Sequence, residues 1–108
     1  MNGYQKQAHE SSILIDRYRL TPNQIYAGIG ASNEMGEVAG LIKKAICGDY
    51  GDNPTANPVF LDKLRKELGD SVWYIVELCT LFGFDLDDII EKLKQRMKNG
   101  TILGSGDR

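Results

Sequence analysis

Apolar residues recur every three or four positions over most of this chain, which is the spacing of a buried α-helical face. A weaker run of this kind extends to about Arg19 and includes Tyr4, Ala8, Ile13 and Ile15. No stretch alternates with period two for long enough to indicate a strand, so we predict an all-α protein. The strongest run carries Phe60, Leu61, Leu64, Leu68, Val72, Ile75, Val76, Cys79 and Phe82.

Capping residues mark where these helices begin and end. Thr21, Pro22 and Gln24 stand in the order of an N-cap, a first helical position and a capping-box partner, which predicts a helix start at Thr21. The other boundaries are predicted at Cys47–Gly48, Asn57–Pro58, Gly83, Asp85 and Gly100. Four helices in this order indicate a four-helix, bundle-like fold.

The second predicted helix contains four glycines, Gly28, Gly30, Gly36 and Gly40. Each costs a helix about 1 kcal/mol relative to alanine. Their number predicts the close approach of another backbone or of a ligand, and a first turn distorted around Gly28 and Gly30 is the alternative.

Length and composition indicate one domain, residues 1–108, with a formal net charge of −2. No basic run predicts nucleic-acid binding, and no apolar run predicts a membrane span or a secretion signal. Cys47 and Cys79 occupy apolar helical positions without metal-ligand spacing, so we expect free buried thiols in a reducing cytoplasm. Four helices on one small domain should leave apolar surface for self-association.

Two acidic pairs, Glu34-x-x-Glu37 and Glu67-x-x-Asp70, interrupt the apolar helices. Residues three apart on a helix share a face, with Cβ atoms roughly 5–6 Å apart. Carboxylates that leave water without a partner cost several kcal/mol each. Because hard divalent cations prefer oxygen ligands, the two pairs predict a Mg²⁺ or Mn²⁺ site.

Two other interpretations of the acidic pairs remain open. The carboxylates could lie on solvated helix faces, where Lys63 could form an ordinary surface ion pair with Glu67. The second interpretation is a di-iron or di-manganese helical bundle. Such sites need histidine ligands, and the single histidine, His9, lies in neither acidic pair.

Cations that could bind a phosphorylated substrate accompany the acidic pairs. Lys44 lies nearly two turns after Glu37, so both project from one helix face. Lys92 and Arg96 repeat at i, i+4 on the last predicted helix. These three residues are candidates for phosphate contacts, with solvated surface charge as the alternative. No P-loop, Rossmann glycine signature or nucleophile elbow occurs in the sequence.

The stretches NEMGEVAGLIKK (Asn33–Lys44) and KELGDSVWYIVEL (Lys66–Leu78) closely resemble the MazG-type all-α nucleoside triphosphate pyrophosphohydrolases. The signature of that family is Glu-x-x-Glu, a gap, then Glu-x-x-Asp. The likeness extends from Tyr4-Gln5 to Lys92-Leu93-x-x-Arg96, and Gly104–Arg108 is similar to the tail of small phage-borne members.

The resemblance implies hydrolysis of a nucleoside triphosphate to monophosphate and pyrophosphate, dependent on Mg²⁺ or Mn²⁺. It also implies a homodimer or homotetramer with shared active sites, in the cytoplasm of a bacterium or a phage-infected host. Of the carboxylates, Glu37 is our choice to activate the attacking water. The implied site residues are Glu34, Glu37, Glu67 and Asp70 for metal, and Lys44, Lys92 and Arg96 for phosphate.

The sequence departs from the family at two points. Ile89 replaces an asparagine that many relatives carry, which puts one substrate contact in doubt. The segment Gly48–Asn57 is longer and more polar than in compact relatives, and either covers the nucleotide or only joins two helices.

The base is less defined than the reaction. The resemblance to small phage-borne members implies deoxyguanosine or deoxycytidine triphosphate as substrate, and we favour a purine, with dGTP or GTP first. Aromatic candidates for base contact are Tyr4, Tyr26, Trp73 and Tyr74, although each could belong to the core. Phosphoribosyl-ATP pyrophosphohydrolase and a non-catalytic helical dimerisation module are the alternative functions.

Overall fold

The computed structural model describes residues 2–11 and 19–100, and within these ranges it contains helices and no strand. The helices are α1 (Gly3–Ser11), α2 (Pro22–Ile46), α3 (Pro58–Leu81) and α4 (Leu86–Lys98), with a 3₁₀ turn at Pro54–Ala56. The predicted all-α fold is therefore confirmed. Ile13, Ile15 and the Gly104–Arg108 tail lie outside the described residues.

The start of α2 is the predicted capping box, and it also fixes how α2 lies against α3. Thr21 Oγ1 accepts a hydrogen bond from the Gln24 N–H at 3.2 Å, and Gln24 Oε1 accepts one from the Thr21 N–H at 2.9 Å. The same glutamine donates from Nε2 to the Leu81 carbonyl oxygen at 3.0 Å. A local capping residue thus joins the first turn of α2 to the last turn of α3.

The connection between α2 and α3 folds back onto the start of α3. Asn57 Oδ1 accepts from the N–H groups of Val59 and Phe60, which caps α3 as predicted. Asn57 Nδ2 donates to the Tyr50 carbonyl oxygen at 3.0 Å, and the Tyr50 ring packs 5.1 Å from the Phe60 ring, centroid to centroid. Hydrogen bonds and ring packing therefore hold the connection on the helix that follows it.

Helices α2 and α3 pack side by side as an antiparallel hairpin. Its buried residues include Ala27 and Val38 on α2 and Phe60 and Cys79 on α3. Both cysteines are free, as expected, but Cys47 is exposed and only Cys79 is buried. Cys47 was predicted to be buried because it follows an apolar run, but it caps the exposed end of α2.

The predicted approach of a backbone or ligand at the glycines is not seen among the described residues, and at Gly30 the close neighbour is a side chain. A Cβ atom at Gly30 would overlap the ring of Tyr74, whereas one at Gly28, Gly36 or Gly40 would meet nothing within 4 Å. Helix α2 continues through all four glycines without a break, so its first turn is not distorted.

Much of the apolar surface of the hairpin stays uncovered within one chain. Neither α1 nor α4 contains a buried residue, although α4 is capped by Asp85 as predicted. None of the described helices has the length and apolar character needed to cross a membrane. Large apolar side chains that are at least two-fifths exposed include Ile29, Ile42, Ile46, Val72, Ile75 and Phe84.

Candidate active site

The antiparallel hairpin brings the two acidic pairs together. Glu34 on α2 and Glu67 and Asp70 on α3 each offer one carboxylate oxygen, and these oxygens lie within 4.8 Å of one another. All three residues are half-buried. We call these residues the three-carboxylate group. Within the described ranges it contains no histidine, which disfavours the di-iron interpretation.

Glu37 lies beside the three-carboxylate group rather than within it. It is exposed, and its carboxyl group shares a hydrogen bond with Glu67. That hydrogen bond is the main reason why the pKa of Glu37 is raised and the pKa of Glu67 is lowered from their ordinary values. The fourth predicted ligand is therefore connected to the group through Glu67.

Two oxygens of the three-carboxylate group have no donor. The Oε2 atoms of Glu34 and Glu67 are buried, and no donor among the described residues reaches either one. Burial is the main cause that raises the pKa of Glu34, followed by its hydrogen bond with Glu67. Ionised carboxylates only accept hydrogen bonds, so they can share this space only through a proton or a cation.

The donor set fits a hard divalent cation. All available ligand atoms are carboxylate oxygens, which suit Mg²⁺ and Mn²⁺ and give soft metals no sulfur or imidazole ligand. The buried oxygens without donors add an independent reason for a cation at this position. The residues present therefore fit the metal that the acidic pairs predict.

Lys66 contacts the three-carboxylate group, which was not predicted from the sequence. Its Nζ lies 3.0 Å from Asp70 Oδ2 and 3.5 Å from Glu67 Oε1, and the hydrogen bond to Asp70 is the main cause that raises the Lys66 pKa. The pair between Lys63 and Glu67 is not formed, because Lys63 Nζ lies over the Tyr50 ring, 5.8 Å from its centroid. Since the Lys66 side chain is 69% exposed, solvent screens its charge, and it offsets the repulsion between the carboxylates only weakly.

A cavity of about 380 Å³ opens beside Glu37 and Glu67 and contains two lysines. Lys44 is one of them, so this predicted phosphate ligand does lie near the acidic residues. Lys63 is the other, and its i, i+4 spacing from Glu67 was the available sequence signal. We call this space the lysine cavity; it is lined by Glu37, Gly40, Leu41, Lys44, Tyr50, Lys63 and Glu67.

A second cavity, of about 220 Å³, lies between the first turns of α2 and the last turns of α3. Tyr26 and Trp73 form its aromatic sides and are 67% and 57% exposed, so neither is a core residue. We call this space the aromatic cavity; it is lined by Asn23, Tyr26, Ala27, Trp73, Glu77 and Leu81.

The other two aromatic candidates occupy different positions. Tyr74 lies between Gly30 and Tyr26, and its ring meets the Trp73 ring edge-on at 5.0 Å between centroids. Tyr4 is 81% exposed on α1 and lines neither cavity. Of the four predicted aromatic residues, Tyr26 and Trp73 therefore line the aromatic cavity.

The other two predicted phosphate ligands, Lys92 and Arg96, lie on α4. Lys92 pairs with Asp88 one turn earlier on the same helix, at 3.2 Å from Nζ to Oδ2. Neither Lys92 nor Arg96 lines the lysine cavity or the aromatic cavity. Of the three predicted phosphate ligands, Lys44 is the one that lines the lysine cavity, beside Glu37 and Glu67.

Comparison with known proteins identifies the family. Residues 28–101 match the MazG nucleotide pyrophosphohydrolase domain, a span that includes both acidic pairs. The chain is also similar to the Gene 37 protein of Mycobacterium phage L5, with 34% identity over 86 residues, or 76% of this chain and 73% of that protein. No solved structure matches significantly. A match over this much of the chain, with the acidic pairs facing each other on α2 and α3, shows that the protein belongs to the MazG nucleotide pyrophosphohydrolase family.

Proposed function

We propose that this protein hydrolyses a nucleoside or deoxynucleoside triphosphate to the monophosphate and pyrophosphate, with Mg²⁺ as cofactor and Mn²⁺ as a substitute. Glu34, Glu67 and Asp70 are the proposed metal ligands, with Glu37 as a fourth carboxylate. The observation that carries this proposal is the pair of buried oxygens, on Glu34 and Glu67, that no donor reaches.

A divalent ion, when bound, supplies Lewis-acid chemistry, because it neutralises phosphate charge and favours deprotonation of water. The protein itself mainly positions groups, as is general in phosphoryl transfer. Glu37 is the proposed base, since it is exposed, borders the lysine cavity and touches Glu67. From there it can accept a proton from the water that attacks the substrate.

The lysine cavity is the proposed site of the departing pyrophosphate. Lys44 and Lys63 lie in it together, next to the acidic residues. Ammonium groups there stabilise the charge that develops on the leaving oxygens. Lys92 and Arg96 remain proposed phosphate ligands only for a site built with a neighbouring chain, because within one chain they line neither cavity.

Self-association into a homodimer or homotetramer is part of the proposal. The exposed apolar side chains on α2 and α3 give it support, because an uncovered apolar face of this extent is unusual on a monomer. A cytoplasmic location, in a bacterium or a phage-infected host, and a role in the dNTP pool are proposed with it. A purine base, dGTP or GTP first, follows from the likeness to phage-borne members.

The test is pyrophosphate release from a panel of dNTPs, NTPs and phosphoribosyl-ATP, each with and without Mg²⁺. We expect Mg²⁺-dependent release, fastest with dGTP or GTP. Release only from phosphoribosyl-ATP would assign the related pyrophosphohydrolase activity instead. Release from none of the substrates would reject the enzyme and favour a helical dimerisation module.

A further inference from the structure

We propose that the aromatic cavity is the base-binding site and that Glu77 and Asn23 select guanine there. This inference rests on the proposed function, because it assumes that the substrate is a nucleotide whose phosphates lie at the acidic residues. It adds the position of the base and the groups that recognise it.

The first argument is the order of the sites along the hairpin. Lys63, Asp70 and Glu77 are spaced by seven residues, so they lie on one face of α3 with about 10 Å between neighbours along the axis. Lys63 lines the lysine cavity, Asp70 belongs to the three-carboxylate group, and Glu77 lines the aromatic cavity. The order is lysines, acidic residues, then aromatic residues.

Helix α2 repeats this order in the opposite chain direction, as an antiparallel partner must. Lys44 lines the lysine cavity, Glu34 belongs to the three-carboxylate group, and Asn23 and Tyr26 line the aromatic cavity. A nucleotide whose reacting phosphorus lies at the acidic residues can place its distal phosphates at the lysines. Its ribose and base then extend towards Trp73.

The second argument is the form and charge of the aromatic cavity. Trp73 and Tyr26 offer large, partly exposed aromatic faces, on which a planar base can stack. Of the residues that line it, Glu77 is the only one with a formal charge. Since no ammonium or guanidinium group is among the described lining residues, the Glu77 carboxylate repels phosphate, and this end of the site suits the neutral base and disfavours the triphosphate.

The third argument is the hydrogen-bonding capacity of Asn23 and Glu77. The Glu77 carboxylate only accepts hydrogen bonds, whereas the Asn23 amide both donates and accepts. Guanine presents two adjacent donors, its N1–H and its 2-amino group, beside the O6 acceptor. Glu77 can accept from both donors while Asn23 donates to O6.

The other bases offer Glu77 a poorer match. Adenine and cytosine each place a ring-nitrogen acceptor beside the amino group, and its lone pair faces a carboxylate unfavourably. Thymine and uracil offer one donor between two carbonyl oxygens. A site built to pair with two donors discriminates strongly against ligands that lack them, because its own polar groups are then left unpaired.

Trp73 is the only tryptophan in the chain, so its fluorescence reports directly on this cavity. The full chain with Mg²⁺ is titrated with α,β-imido-dGTP, α,β-imido-dATP and inorganic tripolyphosphate, none of which releases a nucleoside monophosphate. We expect quenching by the dGTP analogue, at least tenfold weaker apparent affinity for the dATP analogue, and no quenching by tripolyphosphate. Binding of the dGTP analogue without a change in Trp73 emission, or equal quenching by tripolyphosphate, would overturn the proposal.

Two matched variants test the role of Glu77. Glu77→Gln replaces one acceptor by a donor and should weaken dGTP-analogue binding about tenfold or more, raising KM with little change in kcat. Glu91→Gln makes the same chemical change at an exposed position of α4 outside both cavities and should bind as the wild type does. Equal effects of the two variants on binding would show that Glu77 does not recognise the base. Far-UV circular dichroism checks that both variants remain folded.

The preference for dGTP over dITP, which lacks the 2-amino group, is a second test of Glu77. It would not change if Glu77 had only a structural role. The wild type should prefer dGTP over dITP, and Glu77→Gln should lose most of that preference. Hydrolysis without any base-dependent quenching of Trp73 would refute the aromatic cavity as the base-binding site and leave the proposed reaction intact. Failure of every nucleotide both to bind and to be hydrolysed would refute both.

Discussion

The ring of Tyr74 lies directly against the backbone of Gly30, in space that a side chain at Gly30 would fill. The contact lies between the aromatic cavity and the three-carboxylate group, so the spacing of α2 and α3 at this point affects both. The Tyr74 hydroxyl also hydrogen-bonds to Tyr26, which is the main cause that raises the Tyr74 pKa.

Gly30→Ala should therefore destabilise the fold although alanine is the better helix former. The helix gains about 1 kcal/mol, but displacement of the Tyr74 ring costs about 1–3 kcal/mol. Gly28→Ala, where a Cβ meets nothing within 4 Å, is the matched control and should stabilise by about 1 kcal/mol. Urea unfolding at one protein concentration measures both changes. Equal stabilisation by the two substitutions would show that the Tyr74 ring can move away from residue 30 without loss of stability.

Glu34→Gln should show that the Glu34 carboxylate lowers the stability of the metal-free protein but is needed for stabilisation by Mg²⁺. Without metal, the variant should be more stable than the wild type, because the amide removes a charge and can donate to the Glu67 oxygen that lacks a donor. With Mg²⁺, the wild type should gain about 2.7 kcal/mol at a hundredfold excess over Kd, and Glu34→Gln should gain little.

Thermal unfolding with EDTA and with Mg²⁺ measures both effects. Asp62→Asn, which alters an exposed ion pair with Arg65, is the control and should keep the Mg²⁺-dependent increase in Tm. An undiminished increase in Glu34→Gln would exclude Glu34 as a ligand.

Glu37→Gln should keep the fold and the Mg²⁺-dependent increase in Tm but lose nearly all turnover. Loss of a general base costs about 10²–10⁴-fold in rate. Steady-state pyrophosphate release gives kcat, and Glu91→Gln again serves as the control carboxylate. Wild-type turnover in Glu37→Gln, with metal bound as before, would refute its role.

Lys44→Ala and Lys63→Ala should weaken inhibition by pyrophosphate and lower kcat/KM, because both ammonium groups lie in the lysine cavity. Each lost contact to a charged group is worth about 1.5–3 kcal/mol, or roughly ten- to a hundredfold. Lys43→Ala removes the neighbouring lysine, which does not line this cavity, and should behave as the wild type. If all three variants gave the same small change, the effect would be one of overall charge and not of a site.

The features that could be predicted from sequence are those set by local chemistry. Thr21 and Gln24 predict the start of α2 because a capping box needs only four consecutive residues. Glu34 and Glu67 could be assigned to one site because each lies in an acidic pair on one face of a helix and α2 and α3 pack together.

The features that were missed depend on the path of the connection between α2 and α3 and on how the two helices are aligned. Lys66, and not Lys63, contacts the acidic residues, because the connection returns and places the Tyr50 ring beneath Lys63. The pairing of Asn23 with Glu77 in one cavity likewise requires the alignment that Gln24 and Leu81 help to fix. Spacing along α3 allows both Lys63–Glu67 and Lys66–Asp70 as i, i+4 pairs, but it contains no information on the position of Tyr50 or on the alignment of α2 with α3.

The central claim is that Glu34, Glu67 and Asp70 together hold a divalent cation. Anomalous diffraction from crystals of the full chain grown with Mn²⁺ tests this most directly. The account predicts a manganese peak within coordination distance of carboxylate oxygens from all three residues. Density without such a peak at saturating Mn²⁺, with the three side chains turned apart into solvent, would contradict it.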